Sequence, residues 1–507
     1  MRLSTKHPNQ QNISFKDFSG GLNTTNAIET LKPNELARAL NVCLDRSTGL
    51  LRTVEGLDTL FTDNTKEFDC LMIDPWDGGM LITDRDGNVY QYGEGAITKV
   101  GELTGTNSPV YTTWEDGLVI ASGGKLQYFH GGTLETISES PEVCNGVFVR
   151  DGRVWTWHDD RIVLSGVGDE HNWTHDNNDQ SSSQYVDIGY KDRGNIKGIV
   201  ALSSDVVIFK DNGHAYHLAG QYPDWIIKSI GRQLGIKNYE CCLSVGNGVL
   251  VLGDGRIQQV GVTEDYGEMT ASDISGKVEA EVKTLPDTVR MRFVPARNEI
   301  WFIGGEEEDP QREFLVFDIT VGAYFHRMYN AVTRDVLSRN EVTYVLKQHS
   351  LAQVSTDNKM LDEDEPMEWE FRTMAIASFN QFLLKRVYVD TTPLFDTYFE
   401  HKYTFGDVQI FGSLPLTAKS VWENRGTIFG SNRYICDPFT SLILTETSDP
   451  IYRNNEYVWK KRVNVRPSKC YRSETRCVDR RRTVPIKCRG LGGVMLINQI
   501  AFDYAEV

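Results

Sequence analysis

The residues best equipped for chemistry are two histidines four apart in HNWTHDNND, His171 and His175, followed by Asp176 and Asp179. A metal ion needs three or four converging ligands. A polar loop supplies the atoms without the convergence, so a solvated loop is the plainer reading. The acids Asp159 and Asp160 invite an acid/base role on a glycosidic bond, but neighbours in a strand point to opposite faces and make a poor pair. The run Glu306 to Asp309 reads as a hairpin tip before it reads as a calcium site. TDRDGNVY, Thr83 to Tyr90, reads as a hairpin turn. Cys470, Cys477 and Cys488 are spaced too widely for a zinc ribbon and read as small strand residues. GxSxG, GxxxxGK[ST] and HExxH patterns are absent. These residues nominate no catalytic centre, no cofactor and no metal, and the expectation is a protein that is not an enzyme.

The elements that hold such residues come from a chain of 507 residues with a net charge of −17. That length allows two to four domains or one large repeat array. The acidic balance argues against a surface dedicated to gripping phosphate. Nine cysteines, an odd number with no CxxC pair, suit a reducing compartment. The polar start MRLSTKHPNQQN and the lack of a long apolar run predict neither a secretory signal nor a membrane span.

From Gly78 onward one pattern recurs, a polar turn, an apolar strand, a second turn and another strand: GGMLITDRDGNVYQY, EDGLVIASGGKLQYF, RDGRVWTWHDDRIVLS and four more. The first apolar residue after each opening turn is Met80, Leu118, Val154, Val206, Val249, Ile300 and Val342, at steps of 38, 36, 52, 43, 51 and 42 residues. DG, NG and GG turns between Val-, Ile-, Tyr- and Phe-rich runs predict hairpins. A hairpin at this spacing leaves room for two more strands per repeat, the pattern of a β-propeller. The predicted fold is therefore all-β: a propeller of about seven blades, with six or eight as alternatives, and a C-terminal β domain forming a platform with the N-terminal segment. The boundaries fall at 1–65, 66–365 and 366–507. LKPNELARALNVCL, with Pro33 at a first helical position, is the best helix candidate.

Charge is segregated. Residues 461–489 carry 11 Lys and Arg against 2 acids, a local +9 that leaves −26 for the rest of the chain. Complementary potentials of this kind fix orientation between docking surfaces, so the segment predicts contact with another copy or with an acidic partner.

The front motif DFSGGLN, Asp17 to Asn23, followed by NELARALNV and GLLRTVEG, resembles the opening of the tail nozzle proteins of short-tailed bacteriophages, also called tubular or hub proteins. IVLSGVGDEHNW, VVIFKDNGHAYHLAG and the closing IKCRGLGGVMLINQIAFDYAEV resemble later parts of that family. The resemblance implies a structural virion protein, a hexameric ring below the portal and the head-to-tail adaptor ring, forming the DNA exit channel and helping to retain and eject the genome. Its partners would be further copies, the adaptor ring, tail fibres or spikes, and double-stranded DNA passing without sequence-specific contacts. It would be assembled in the host bacterial cytoplasm and reside in the virion tail. A receptor-binding or fibre-anchoring tail protein is the alternative, with Trp155 and Trp157 as its one aromatic candidate, although a pair alternating on one face of a strand reads first as core; a propeller glycan hydrolase ranks third. Candidate assembly-interface residues are Phe18, Gly20, Gly21, Leu22, Asn41 and Arg52 at the front, and Arg466, Arg472, Arg476, Arg480, Arg481 and Arg482 in the basic segment.

Overall fold

The computed structural model describes residues 10–506 except 74–78, 203–204, 263–268, 305–312, 357–359, 395–398, 492–493, most of 406–470 and some single positions; for 376–389 and 399–491 the described strands are backbone only. By internal contact the chain forms two units. One comprises 59–312 with 331–353, the other 1–58, 313–330 and 354–507.

The first unit is the propeller. Five four-stranded antiparallel sheets follow one another in sequence, beginning with Phe68–Ile73, Met80–Asp84, Asn88–Gly93 and Ala96–Glu102 and ending with Cys242–Val245, Gly248–Gly253, Arg256–Val262 and Met269–Asp273. The hairpin Arg290–Val294/Glu299–Ile303 and the strands Thr333–Arg339, Val342–Lys347 and Ser350–Val354 continue the series. All seven marker residues, Met80 to Val342, fall in the second strand of their sheet. The turns explain why: Asp151 and Gly152, at φ 52° and 65°, make the double positive-φ geometry that matches strand twist.

Burial follows strand order. Second strands such as Met80–Asp84 and Gly117–Ala121 are buried throughout, whereas the outer strand Ala96–Glu102 is largely exposed. Among the described residues the apolar clusters span two adjacent blades. Trp114, Val119 and Tyr128 pack with Val147 and Val154; Trp155, Trp157 and Ile162 pack with Val206, Ile208 and Leu218. Leu60 and Phe61, ahead of the first blade, pack with Phe68, Met80, Leu346 and Leu351, so the start of the unit closes on its last blade. Fully burying such a side chain stabilises by about 1.5–3 kcal/mol.

In the second unit the chain ends meet in one sheet. Gln10–Phe15 pairs with Met495–Glu506, which pairs with the 26-residue strand Glu368–Pro393. That long strand also pairs with the 21-residue strand Tyr471–Leu491, beside which Phe399–Phe405 adds. The platform of N-terminal segment and C-terminal β domain is thus present. The predicted helix at LKPNELARALNVCL is corrected: Glu35–Leu40 and Val42–Leu44 are strands. ELARAL has good helix formers, but pairing Leu36–Leu40 with Glu370–Thr373 buries Leu36, Ala39 and Leu40. Asn41, at φ 51°, then breaks the run. Tertiary pairing overrides local propensity. Among the described residues the one α-helix is Glu279–Thr284.

Candidate functional site

The front motif builds a latch inside the platform. Phe18 is buried and meets Phe371 edge-on at 6.1 Å. Gly20 N–H donates to the Asn34 carbonyl at 3.0 Å, and Gly21 N–H to that of Phe18 at 3.0 Å. A Cβ on Gly20 would lie 2.7 Å from the Asn34 oxygen, and Gly21 sits at φ +62°, a region costly for side-chain-bearing residues. Leu22 is fully buried. Asn41 is the knot of this arrangement. Its Nδ2 donates to the Met328 carbonyl at 3.0 Å and the Glu368 carbonyl at 2.7 Å, while its Oδ1 accepts from Met328 N–H at 2.9 Å. Arg52 forms an ion pair with Glu55. The side chains of Phe18, Leu22 and Asn41 are therefore buried within the subunit, and Asn41 joins segments some 290 to 330 residues apart.

The propeller carries a second polar assembly that the sequence reading missed. Strands Phe68–Ile73, Arg290–Val294 and Thr333–Arg339, the first strands of their blades, lie against one another. Between them Arg290 Nη2 donates to Asp69 Oδ1 at 2.8 Å and to Ser108 Oγ at 2.8 Å, and Nε to Glu240 Oε2 at 3.1 Å. Arg292 Nε donates to Asp335 Oδ1 at 2.7 Å, and its other arm reaches Glu240. Asp335 also accepts Leu71 N–H and Val336 N–H, both at 2.9 Å. Side-chain exposure is 1% for Asp335, 9% for Glu240 and 11% for Arg290. Burial alone would raise the Asp335 pKa, but Arg292 and Arg290 hold it below the usual carboxylate value. Burial likewise opposes charge on both arginines, and the acids around them hold their pKa values above the usual. The same burial raises the Cys70 thiol and the Tyr111 and Tyr239 phenols. Two cations and three carboxylates thus interlock where the innermost strands converge, with Asp69 the most exposed of the three acids. The signal was RMR, two arginines on one face of a strand; their acidic partners lie 43 to 221 residues away.

A cleft of about 300 Å³ opens beside Asp69, Ser108 and Arg290 and is rimmed by Asp84, Arg85 and Asp86. Asp84 is engaged by Tyr90 OH at 2.9 Å and Asn88 N–H at 2.8 Å, so TDRDGNVY is braced as a turn.

The remaining candidates do not converge. His175 Nδ1 lies 2.7 Å from the Ser183 carbonyl and Nε2 3.0 Å from Asn177 Oδ1. Asp176 and Asp179 accept loop N–H groups from Asn178 and Ser181. His171 lies 3.5 Å from Glu170 and 3.9 Å from Glu135. Among the described residues no cluster of three or more His, Cys, Asp or Glu is arranged to hold a metal ion. Trp155 and Trp157 are buried between blades. Asp159, at φ 49°, and Asp160 form the turn between Arg153–His158 and Arg161–Leu164. Glu306 to Asp309, Cys470 and Arg466 lie outside the described residues. Arg472, Arg476, Arg480, Arg481 and Arg482, with Cys477 and Cys488, all fall on the strand Tyr471–Leu491.

No family model matches the chain, and no curated protein matches it in sequence. Among solved structures it is similar to BamB from Moraxella catarrhalis, at 11% identity and a TM-score of 0.39, covering 68% of this chain and 96% of that one. No helix among the described residues is long and apolar enough to cross a membrane.

Proposed function

We propose that this chain is a structural subunit of the tail nozzle of a short-tailed bacteriophage, one of six in a ring below the portal and adaptor that guides the genome out. The observation that carries the reading is the platform. Chain ends nearly 500 residues apart share one sheet, Gln10–Phe15 against Met495–Glu506, and the motif that resembles the nozzle family supplies its latch. A ring subunit needs such a rigid base. In this reading the duplex passes between subunits, because the centre of each propeller is occupied by the paired arginines and acids. Acidic walls suit passage, since they offer phosphate no cation to hold. The receptor-binding alternative loses its aromatic pair to the core.

Light scattering after size exclusion, followed by negative-stain imaging of the full chain, tests the proposal. A sixfold ring with a central hole is expected. A monomer, or an assembly without a hole, sinks it.

A further inference from the structure

We infer that the cleft beside Arg290 is a binding site for a neutral carbohydrate, independently of ring formation. The cleft holds about 300 Å³, at the lower end of the range for small-molecule sites. A second hollow of about 260 Å³ adjoins it, the two sharing Asp84, Arg85 and Asp86. Strand register fixes where the cleft opens. Phe68 lies opposite Asp84, and Asn88 opposite Glu102, so the turn at 85–87 sits at the end of the first blade where its innermost strand begins. Residues 103–109 lead from that end into the next blade, whose first strand starts at Val110, and Arg290 is the first residue of its own strand. The cleft therefore lies at the mouth of the central ion network, not among the outer strands.

The polar groups left over define the ligand. Every nitrogen of Arg290 donates inside the protein, to Glu240, Asp69, Ser108 and the Arg334 carbonyl, and Arg85 donates to Glu67 at 3.3 Å. Both oxygens of Asp84 are taken by Asn88 and Tyr90. Among the described residues, by contrast, no donor reaches Asp69 Oδ2 or the exposed Asp86 carboxylate, and the exposed Thr106 and Asn107 side chains have no hydrogen-bond partner. Ser108 Oγ accepts from Arg290 at 2.8 Å and keeps its own hydrogen to donate. An anion entering here meets two free carboxylates and no uncommitted cation, so it is repelled. A cation satisfies the carboxylates but offers no acceptor to the Asn107 amide or the Ser108 and Thr106 hydroxyls. A neutral polyol does both: its hydroxyls donate to Asp69 and Asp86 and accept from Asn107 and Ser108. The adjoining hollow gives room for a second linked ring.

Saturation-transfer NMR on the full chain tests this, with glucose, maltose, galactose and lactose as probes. Transfer to sugar protons is expected, with a disaccharide bound more tightly than its own monosaccharide. The double variant Asp86→Ala, Asn107→Ala should weaken binding at least ~10-fold and, both side chains being exposed, leave the melting temperature unchanged. Should it fail to fold, Asn107→Ala alone decides, with weaker binding expected. No transfer to any of the four sugars overturns the inference, and so does binding that the folded variants leave unchanged. Arginine amide and inorganic phosphate are the charged competitors: tighter binding of either, lost in the same variants, assigns the cleft to a charged ligand and overturns the inference. None of these outcomes bears on whether the chain forms a ring.

Discussion

Replacing Arg292 with methionine removes the cation that bridges Asp335 and Glu240 while keeping an apolar stem of similar reach. Asp335 retains its two backbone donors, Leu71 and Val336 N–H, but its carboxylate, 1% exposed, loses its nearest cation. Breaking a buried pair by deleting one partner costs about 3–5 kcal/mol, because the surviving charge stays desolvated. At roughly 2–4 °C per kcal/mol for a unit of this size, the calorimetric transition of the propeller should fall by about 6–20 °C at neutral pH. The pH dependence sharpens the expectation. In the native chain the folded pKa of Asp335 lies below its ordinary value, so its contribution is complete above the unfolded pKa of about 3.9 and is lost as pH falls through the folded value. Without Arg292 the buried carboxyl protonates more readily, and the stability gap between variant and native chain should narrow on acidification. A loss under about 1 kcal/mol at neutral pH, or a gap that widens in acid, would refute the argument that this network is a buried, charge-paired cluster.

Two further expectations concern other parts of the chain. Asn41→Ala removes two donors and one acceptor from the latch and places alanine at φ 51°; about 3 kcal/mol or more should be lost in denaturant unfolding, and an unchanged midpoint would show that the latch is dispensable. Cys70, Cys144 and Cys241 are buried free thiols, with Cys144 pushed up to about 11 and Cys241 to about 12. Burial comes first among the causes. Iodoacetamide at mildly alkaline pH should label these three only after denaturation, as read by peptide mass spectrometry, and rapid native labelling of Cys144 would contradict its burial.

The blades were legible because their information is local. Turn pairs such as Asp151-Gly152 and the apolar runs behind them specify a hairpin within about ten residues, and seven markers located seven second strands. The tryptophans of VWTWHDD were likewise readable as core, from alternation alone. The strand ELARAL was not. Its composition favours a helix, and its conformation is decided by Glu370–Thr373, 330 or more residues away. The central ion network was hidden for the same reason.

By itself, the sequence determined where the chain turns, which strands are apolar and where its charge is concentrated, since these depend on neighbouring residues and on composition. Only the tertiary structure decided that Arg290 and Arg292 find Asp69, Glu240 and Asp335, that Asn41 ties Met328 to Glu368, and that Arg476 is set against Arg386. Those relations depend on strand register between distant segments. Register is set by the pairing of whole sheets, and no short stretch of residues encodes it.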